Sequence, residues 1–519
     1  MLKTIAAHKL GPTIEQELAH ASQPGACRVA RDLGIVITCD ACLHVILCGG
    51  WICQLCGHEL CFDCHAIVRL FEANARGESS PELDGLPKAS LARIMTCWGR
   101  NKHGTTDFVP LTRIDADRLL QTVVDMKTWR ECHPLELGNI LSPKWADQYL
   151  YQPPEEDNSH PYLKLPSNVL PSTTTNETLQ DIERSREDED APVNIFRALW
   201  SRGEAMVVDL DLSEVSRVLW TPQYFIDQFG QAPVTIASNI LGRPDRLSTV
   251  GEFFSTFGQS TGLVNSEKIK ASRGILHSDW PPSSDFRKDF PLLWEDFMRM
   301  VPIGSVTRRD GILNVSTHTP KNANPPDLGP KGYFSETSDD SEGGQGSTKL
   351  HTVNVLLWSA KQRDGSPGYA VWDLYRVEDA DKIREFLYEL IAVRDYQGDV
   401  ARAKRTNDDP IHTQRFFLNE KLRQDLWEKK QVKSWRIRQT PGQVVFIPAG
   451  CAHQVCNFAD CIKVASDFVS LENVARCWIV SDEFRKQTRE GKLWRTDVLS
   501  LKSQLLWAWE SAQRLNQII

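Results

Sequence analysis

Residues 443–470 read QVVFIPAGCAHQVCNFADCIKVASDFVS. Two short apolar runs, QVVFI and IKVASDFV, are bounded by turn formers at Pro448-Ala449-Gly450 and around Asp460. Their length, composition and punctuation read as strands rather than helices. A Pro-Ala-Gly turn delivers His453 onto the segment between them. Taken alone, a histidine in such a setting is more often a satisfied core residue than a ligand. Lys463 is a cation on an otherwise apolar strand. It is either a snorkelling edge lysine or a buried ammonium that pairs with a carboxylate.

The same texture extends outward. EAMVVDLDL (204–212), PVTIAS (233–238), VNVLLW (353–358) and YAVWDLY (369–375) are apolar or alternating and punctuated by Gly, Pro or Asp. Helical periodicity separates them at DADKIREFLYELIAV (379–393) and LNEKLRQDLWEKK (418–430). The expected fold is mainly β with helical decoration, a barrel or double sheet.

A second chemistry lies upstream. Residues 39–64, CDACLHVILCGGWICQLCGHELCFDC, hold seven of the chain's 14 cysteines. Three C-x2-C pairs, Cys39/Cys42, Cys53/Cys56 and Cys61/Cys64, point to structural zinc, because two thiolates on one tight turn both reach a tetrahedral ion at ~2.3 Å. A disulfide cluster is disfavoured, since no secretory signal precedes the block. Two ions need eight ligands. Cys97 and His103 are the expected remainder, with Cys48 or His65 as alternates and His44 and His58 also in reach of the block. The spacing leaves open which ligands share an ion. A module that folds on metal suggests a docking platform more than a catalyst.

At 519 residues two or three domains are expected. A net charge of -8 argues against charge-driven coating of DNA, makes direct DNA binding not evident, and suits a basic peptide partner. No apolar run reaches the ~18 residues of a membrane span. Reduced thiols and zinc fit the cytosol or nucleus, and the short run Arg402, Lys404, Arg405 hints only weakly at nuclear import. The expected segments are a lead-in (1–26), a cysteine-rich zinc module (27–135), a Pro-, Ser- and acid-rich linker (136–192), the barrel (193–490) and a C-terminal helical segment (491–519). The helix pattern ADRLLQTVVDMKTW (116–129) closes the zinc module. In the C-terminal helix the stripe Leu493, Trp494, Val498, Leu501, Leu505, Leu506 reads as core packing.

Residues 443–485 resemble the last strands of a JmjC domain, and more closely those of JmjC-domain histone lysine demethylases of the JMJD1/hairless type. DWPPSSDF (279–286), TRRDGILNV (307–315), DLGPKGY (327–333), YAVWDLYRVEDADKIREFL (369–387) and DPIHTQRFFLNEKLRQDLW (409–427) match in the same order. In that family a cysteine-rich zinc finger precedes the barrel, as here. The resemblance implies a double-stranded β-helix of jelly-roll, cupin-like form. It also implies a dioxygenase using Fe(II), 2-oxoglutarate and the co-substrate O2, with Zn(II) in the finger.

The iron is then expected on His351 and His453, and 2-oxoglutarate on Thr348, Asn354 and Lys463. No catalytic residue is implied beyond the iron site. The implied substrate is mono- or dimethylated lysine 9 of histone H3. Hydroxylation of an N-methyl group would release formaldehyde as 2-oxoglutarate becomes succinate and CO2. Chromatin, the nucleus and transcriptional corepressors follow as setting and partners.

One departure matters. The family pattern is His-x-Asp followed several residues later by Val-Asn-Val, whereas here His351-Thr352 runs straight into Val353-Asn354-Val355. About five residues, with the iron-binding carboxylate, are missing, and a neutral Val cannot ligate iron. Three explanations compete: a catalytically silent barrel serving as chromatin scaffold or corepressor, a stretch dropped from the sequence, or a substitute carboxylate among Asp339, Asp340, Glu342 and Asp373. A ubiquitin-ligase-like reading of the C-x2-C pairs is weaker, because a clear Cys-x-His centre is lacking and a barrel follows.

Overall fold

The computed structural model describes residues 2–78, 83, 86, 88–96, 102–135, 144–172, 188, 191–238, 246–259, 267–270, 286–337, 345–346, 351–362, 364–413, 416–489, 497 and 499–515. Two compact units emerge. One comprises Met1–Gly138, Val315–Asp327 and Cys477–Ile519, the other Asn139–Asn314 and Leu328–Arg476.

The second unit is a two-sheet barrel. Its larger sheet has ten strands in the order Leu150–Tyr151, Tyr162–Leu165, Met206–Asp209, Gln443–Ile447, His351–Ser359, Cys461–Phe468, Lys331–Ser335, Glu267–Lys270, Pro233–Ser238, Arg246–Thr249. Its smaller sheet runs Gln345–Gly346, His453–Asn457, Ala370–Tyr375, Ser434–Gln439. Strand alternation assigns the faces. In the larger sheet Val353, Val355, Val444, Phe446, Ile462, Val464 and Phe468 pack outward on Phe196, Trp200, Phe225, Phe254 and Phe297. These rings come from the short helices Pro192–Trp200, Pro222–Phe229, Val250–Phe254 and Pro291–Met300. Their alternates Val207, Val445 and Ile447 face inward and meet Trp372, Leu374, Trp435 and Ile437 of the smaller sheet. The smaller sheet is backed by helices Ala380–Asp395 and Glu420–Lys430, which bury Ile383, Phe386, Leu387 and Leu426.

The runs read as strands from sequence therefore form the barrel, and both periodic segments form helices. Two strands, Leu150–Tyr151 and Tyr162–Leu165, come from the stretch read as linker, and they extend the larger sheet beside Met206–Asp209. The burial of Tyr162, Leu163 and Leu165 is what the polar residues around them concealed.

The first unit holds a four-stranded sheet, Cys27–Arg28, Phe108–Thr112, Gly49–Cys53, Glu59–Leu60. The lead-in is a helix, Leu2–Ala21, with Ile5, Leu10 and Ile14 buried. It packs on Ala116–Cys132 and on Leu501–Leu515, where Leu501, Leu505 and Leu506 are buried. Leu493, Trp494 and Val498 lie outside the described residues, as do residues 279–285.

Candidate metal and cofactor sites

The cysteines form two groups. Sulfurs of Cys39, Cys42, Cys61 and Cys64 lie within 4.8 Å of one another, as do ligand atoms of Cys53, Cys56 and His103. The pairing is interleaved: the first and third C-x2-C pairs share one site, the second pair and His103 the other. Local backbone explains the first two pairs. Leu43 N–H donates to Cys39 O at 2.8 Å and Gly57 N–H to Cys53 O at 2.8 Å, and both residues have positive φ, 55° and 75°. Each is a tight turn that aims two thiols to one side. Cys61 caps the helix Phe62–Ala75, which sets Cys64 in its first turn.

His103 is buried, with a ring nitrogen within 4.8 Å of the Cys53 and Cys56 sulfurs, a placement that suits a metal ligand. Cys97, the expected fourth ligand of that site, lies outside the described residues. Among the alternates, Cys48 is a buried thiol whose pKa burial pushes well up. His65 stacks on Trp51 at 3.9 Å, His44 lies 3.9 Å from Asp497, and His58 lies 3.9 Å from Asp40. None of these four joins either group. The donor set fits zinc: four thiolates close a tetrahedral site with a net charge of -2. Arg485 answers part of that charge. Its Nη2 lies 3.6 Å from Cys61 Sγ, and the same guanidinium pairs with Asp63.

In the barrel, His453 opens the strand His453–Asn457. With Val455 and Asn457 it shares the inward face, 6.2 Å from the Trp372 ring. His453 Nδ1 meets Cys451 O at 3.0 Å. A carbonyl only accepts, so Nδ1 carries the proton and Nε2 keeps its lone pair. Burial lowers the pKa of His453, which keeps the ring neutral and able to ligate.

Lys463 is inward too, and 3% exposed. Its Nζ donates to Asn457 Oδ1 at 2.6 Å and lies 5.4 Å from the Trp372 ring centroid. Burial pulls its pKa down. Asn354 is buried on the inward face, and its Oδ1 has no hydrogen-bond partner. A buried ammonium fits a carboxylate, so the Lys463 side of the interior suits 2-oxoglutarate, whereas Asn354 Oδ1, an acceptor, calls for a donor instead. Asn457 carried no signal in the sequence, because its contact with Lys463 depends on how strands of the two different sheets face each other. Thr348 lies outside the described residues.

His351 is placed differently. It shares the outward face of its strand with Val353 and Val355, 5.3 Å from the Trp200 ring and 5.4 Å from Phe468. Ala449 N–H donates to its Nδ1 at 3.0 Å, and its other nitrogen bonds the backbone of Asn473. Both nitrogens are thus in use, and the ring faces away from His453. His351 is the first residue of the long central strand His351–Ser359, and alternation along that strand puts it on the face of Val353 and Val355. The register partner of His453 is Gly346.

Asp373, a candidate substitute carboxylate, faces outward and is held by Arg436 at 2.9 Å. Asp339, Asp340 and Glu342 lie outside the described residues. Inward-facing Asp467 accepts from Thr352 Oγ1 at 2.5 Å. Among the described residues, only the two cysteine-containing groups bring three metal donors together. For iron, the described residues supply His453 but not a three-donor set.

A two-sheet barrel with a histidine and a buried lysine turned inward is the architecture expected of a JmjC domain. Residues 359–468 match the family model described as "JmjC domain, hydroxylase", and the chain carries a JmjC domain. The chain is similar to lysine-specific demethylase 3A of Rattus norvegicus, 34% identical over 329 residues that cover 56% of this chain and 26% of the relative. The Homo sapiens protein of that name is likewise 34% identical over 329 residues, covering 56% and 24%. Lysine-specific demethylase 3 of Drosophila melanogaster is 31% identical over 331 residues, covering 56% and 37%. The chain thus matches 24% to 37% of the length of these relatives.

Proposed function

We propose that this chain is an Fe(II)- and 2-oxoglutarate-dependent lysine demethylase of chromatin. Its substrate would be mono- or dimethylated lysine 9 of the histone H3 tail, in the nucleus. The observation that carries the reading is Lys463, a buried ammonium turned into a JmjC barrel beside a neutral His453 with a free Nε2. Similarity to demethylases 3 and 3A names the substrate class. When bound, iron with 2-oxoglutarate would supply oxidation of the N-methyl group. The chain's own residues would bind and orient: Lys463, held in place by Asn457, would pair with a carboxylate, and Trp372 and Val455 would keep water from it. The iron site requires donors beyond His453, and the acidic residues Asp339, Asp340 and Glu342 are the candidates for the missing carboxylate. A net charge of -8 favours docking of a basic tail.

The outward turn of His351 favours a second reading, a silent barrel that binds histone or corepressor partners. The test is Fe(II)-dependent succinate formation with a dimethyl-lysine-9 histone H3 peptide. Turnover lost in His453→Ala supports the enzyme. Binding of 2-oxoglutarate without turnover supports the silent barrel.

A further inference from the structure

The helical side of the first unit holds an arrangement that neither zinc nor barrel chemistry uses. Helices Leu2–Ala21, Ala116–Cys132 and Leu501–Leu515 border a cavity of about 380 Å³, whose lining includes Lys3, Asp125, Trp129, His133, Trp509 and Gln513. Trp129 and Trp509 meet edge to face, 6.5 Å apart at 79°. Lys3 Nζ sits 4.0 Å from the Trp129 ring centroid and 5.2 Å from that of Trp509. Burial disfavours the ammonium there, and Asp125 adds a negative charge that only partly offsets this. The walls are fixed: Trp129 Nε1 donates to Thr4 Oγ1 at 3.2 Å, His133 stacks on Trp129 at 3.8 Å, and Gln513 Nε2 donates to Asp125 Oδ2 at 3.2 Å.

Two indoles at a steep angle with a carboxylate beside them form a receptor for an organic cation. Lys3 is an imperfect occupant. A primary ammonium is strongly hydrated and carries three N–H donors, and among the described residues its Nζ has no hydrogen-bond acceptor. A methylated ammonium gives up less hydration and places methyl groups against the rings. We infer that this cavity binds N-methylated ammonium groups, with Lys3 as a built-in competitor. The inference is independent of the barrel's chemistry.

The experiment titrates the zinc-loaded full chain and its Lys3→Ala variant with tetramethylammonium, choline, and a trimethyl-lysine peptide beside its unmethylated form. Tryptophan fluorescence and calorimetry read the binding. An intramolecular competitor acts at an effective concentration on the order of mM. Lys3→Ala is therefore expected to bind tetramethylammonium at least ~10-fold more tightly than the parent. Adding Trp129→Phe should weaken that binding, since Trp is the strongest cation–π partner, and adding Asp125→Asn should weaken it too. A peptide that binds more tightly than choline marks methyl-lysine as the source, and the reverse marks a small quaternary amine. Equal affinity in parent and Lys3→Ala, or binding unmoved by both second substitutions in folded protein, overturns the inference.

Discussion

Replacing Lys463 with Met is expected to stabilise the barrel while abolishing its affinity for 2-oxoglutarate. The ammonium is 3% exposed, bonds Asn457 at 2.6 Å, and has no ion pair among the described residues. Apolar replacement of buried charges of similar volume stabilises by as much as about 1–4 kcal/mol. Asn457 loses its partner, which costs about 1 kcal/mol. The net gain expected at neutral pH is about 1–2 kcal/mol. Burial sets the folded pKa of Lys463 below its unfolded value. The folded state therefore binds fewer protons between those two values, and stability rises with pH across that window. The cost of the charge is complete below the folded pKa and fades as pH approaches ~10.4, so the advantage of Lys463→Met should shrink from pH 7 to pH 9.5. Urea unfolding at both pH values, with and without 2-oxoglutarate, reads all of this. Ligand at about 100 times Kd adds ~2.7 kcal/mol to a protein that binds it, and should add nothing to the variant. A variant less stable at pH 7, or stabilised by 2-oxoglutarate as much as the parent, would refute the reasoning.

The two histidines should separate cleanly. His453→Ala is expected to lose iron-dependent turnover, while His351→Leu keeps it, as read by succinate formation. His351 is buried neutral with its pKa lowered to about 3. Its folded pKa lies below the unfolded value, so the unfolded state takes up the proton first, and stability falls as pH drops from about 6.5 toward 3 at up to ~1.4 kcal/mol per pH unit. His351→Leu should flatten that acid loss in urea titrations at pH 7 and pH 5. Metal analysis is expected to give two zinc ions per chain and one in Cys61→Ser or Cys53→Ser; an unchanged count would refute the assignment of these cysteines as zinc ligands. Arg485→Met removes the cation beside Cys61 Sγ and should weaken that site by ~10–100-fold in chelator competition.

Strand texture made the barrel legible, because runs such as VNVLLW and QVVFI alternate between an aromatic helical layer and an inner core. Cysteine spacing likewise exposed the metal module, since ligand geometry is local. Interleaving was not legible, because it depends on how distant turns meet across the Gly49–Cys53 and Phe108–Thr112 strands. His351 shows the limit most clearly. Its identity suggested a ligand, yet side-chain direction on a strand reverses with each residue, and its place in the strand with Val353 and Val355 turns it outward. The strands at Leu150–Tyr151 and Tyr162–Leu165 were hidden by polar surroundings and by a parallel pairing that local sequence does not encode.

The most direct measurement is succinate formation by the zinc-loaded chain with Fe(II), 2-oxoglutarate and a dimethyl-lysine-9 histone H3 peptide. Iron-dependent succinate matched by formaldehyde, lost in His453→Ala, is the expected result. A folded chain that binds 2-oxoglutarate but forms neither product would contradict demethylation and leave a binding barrel in its place.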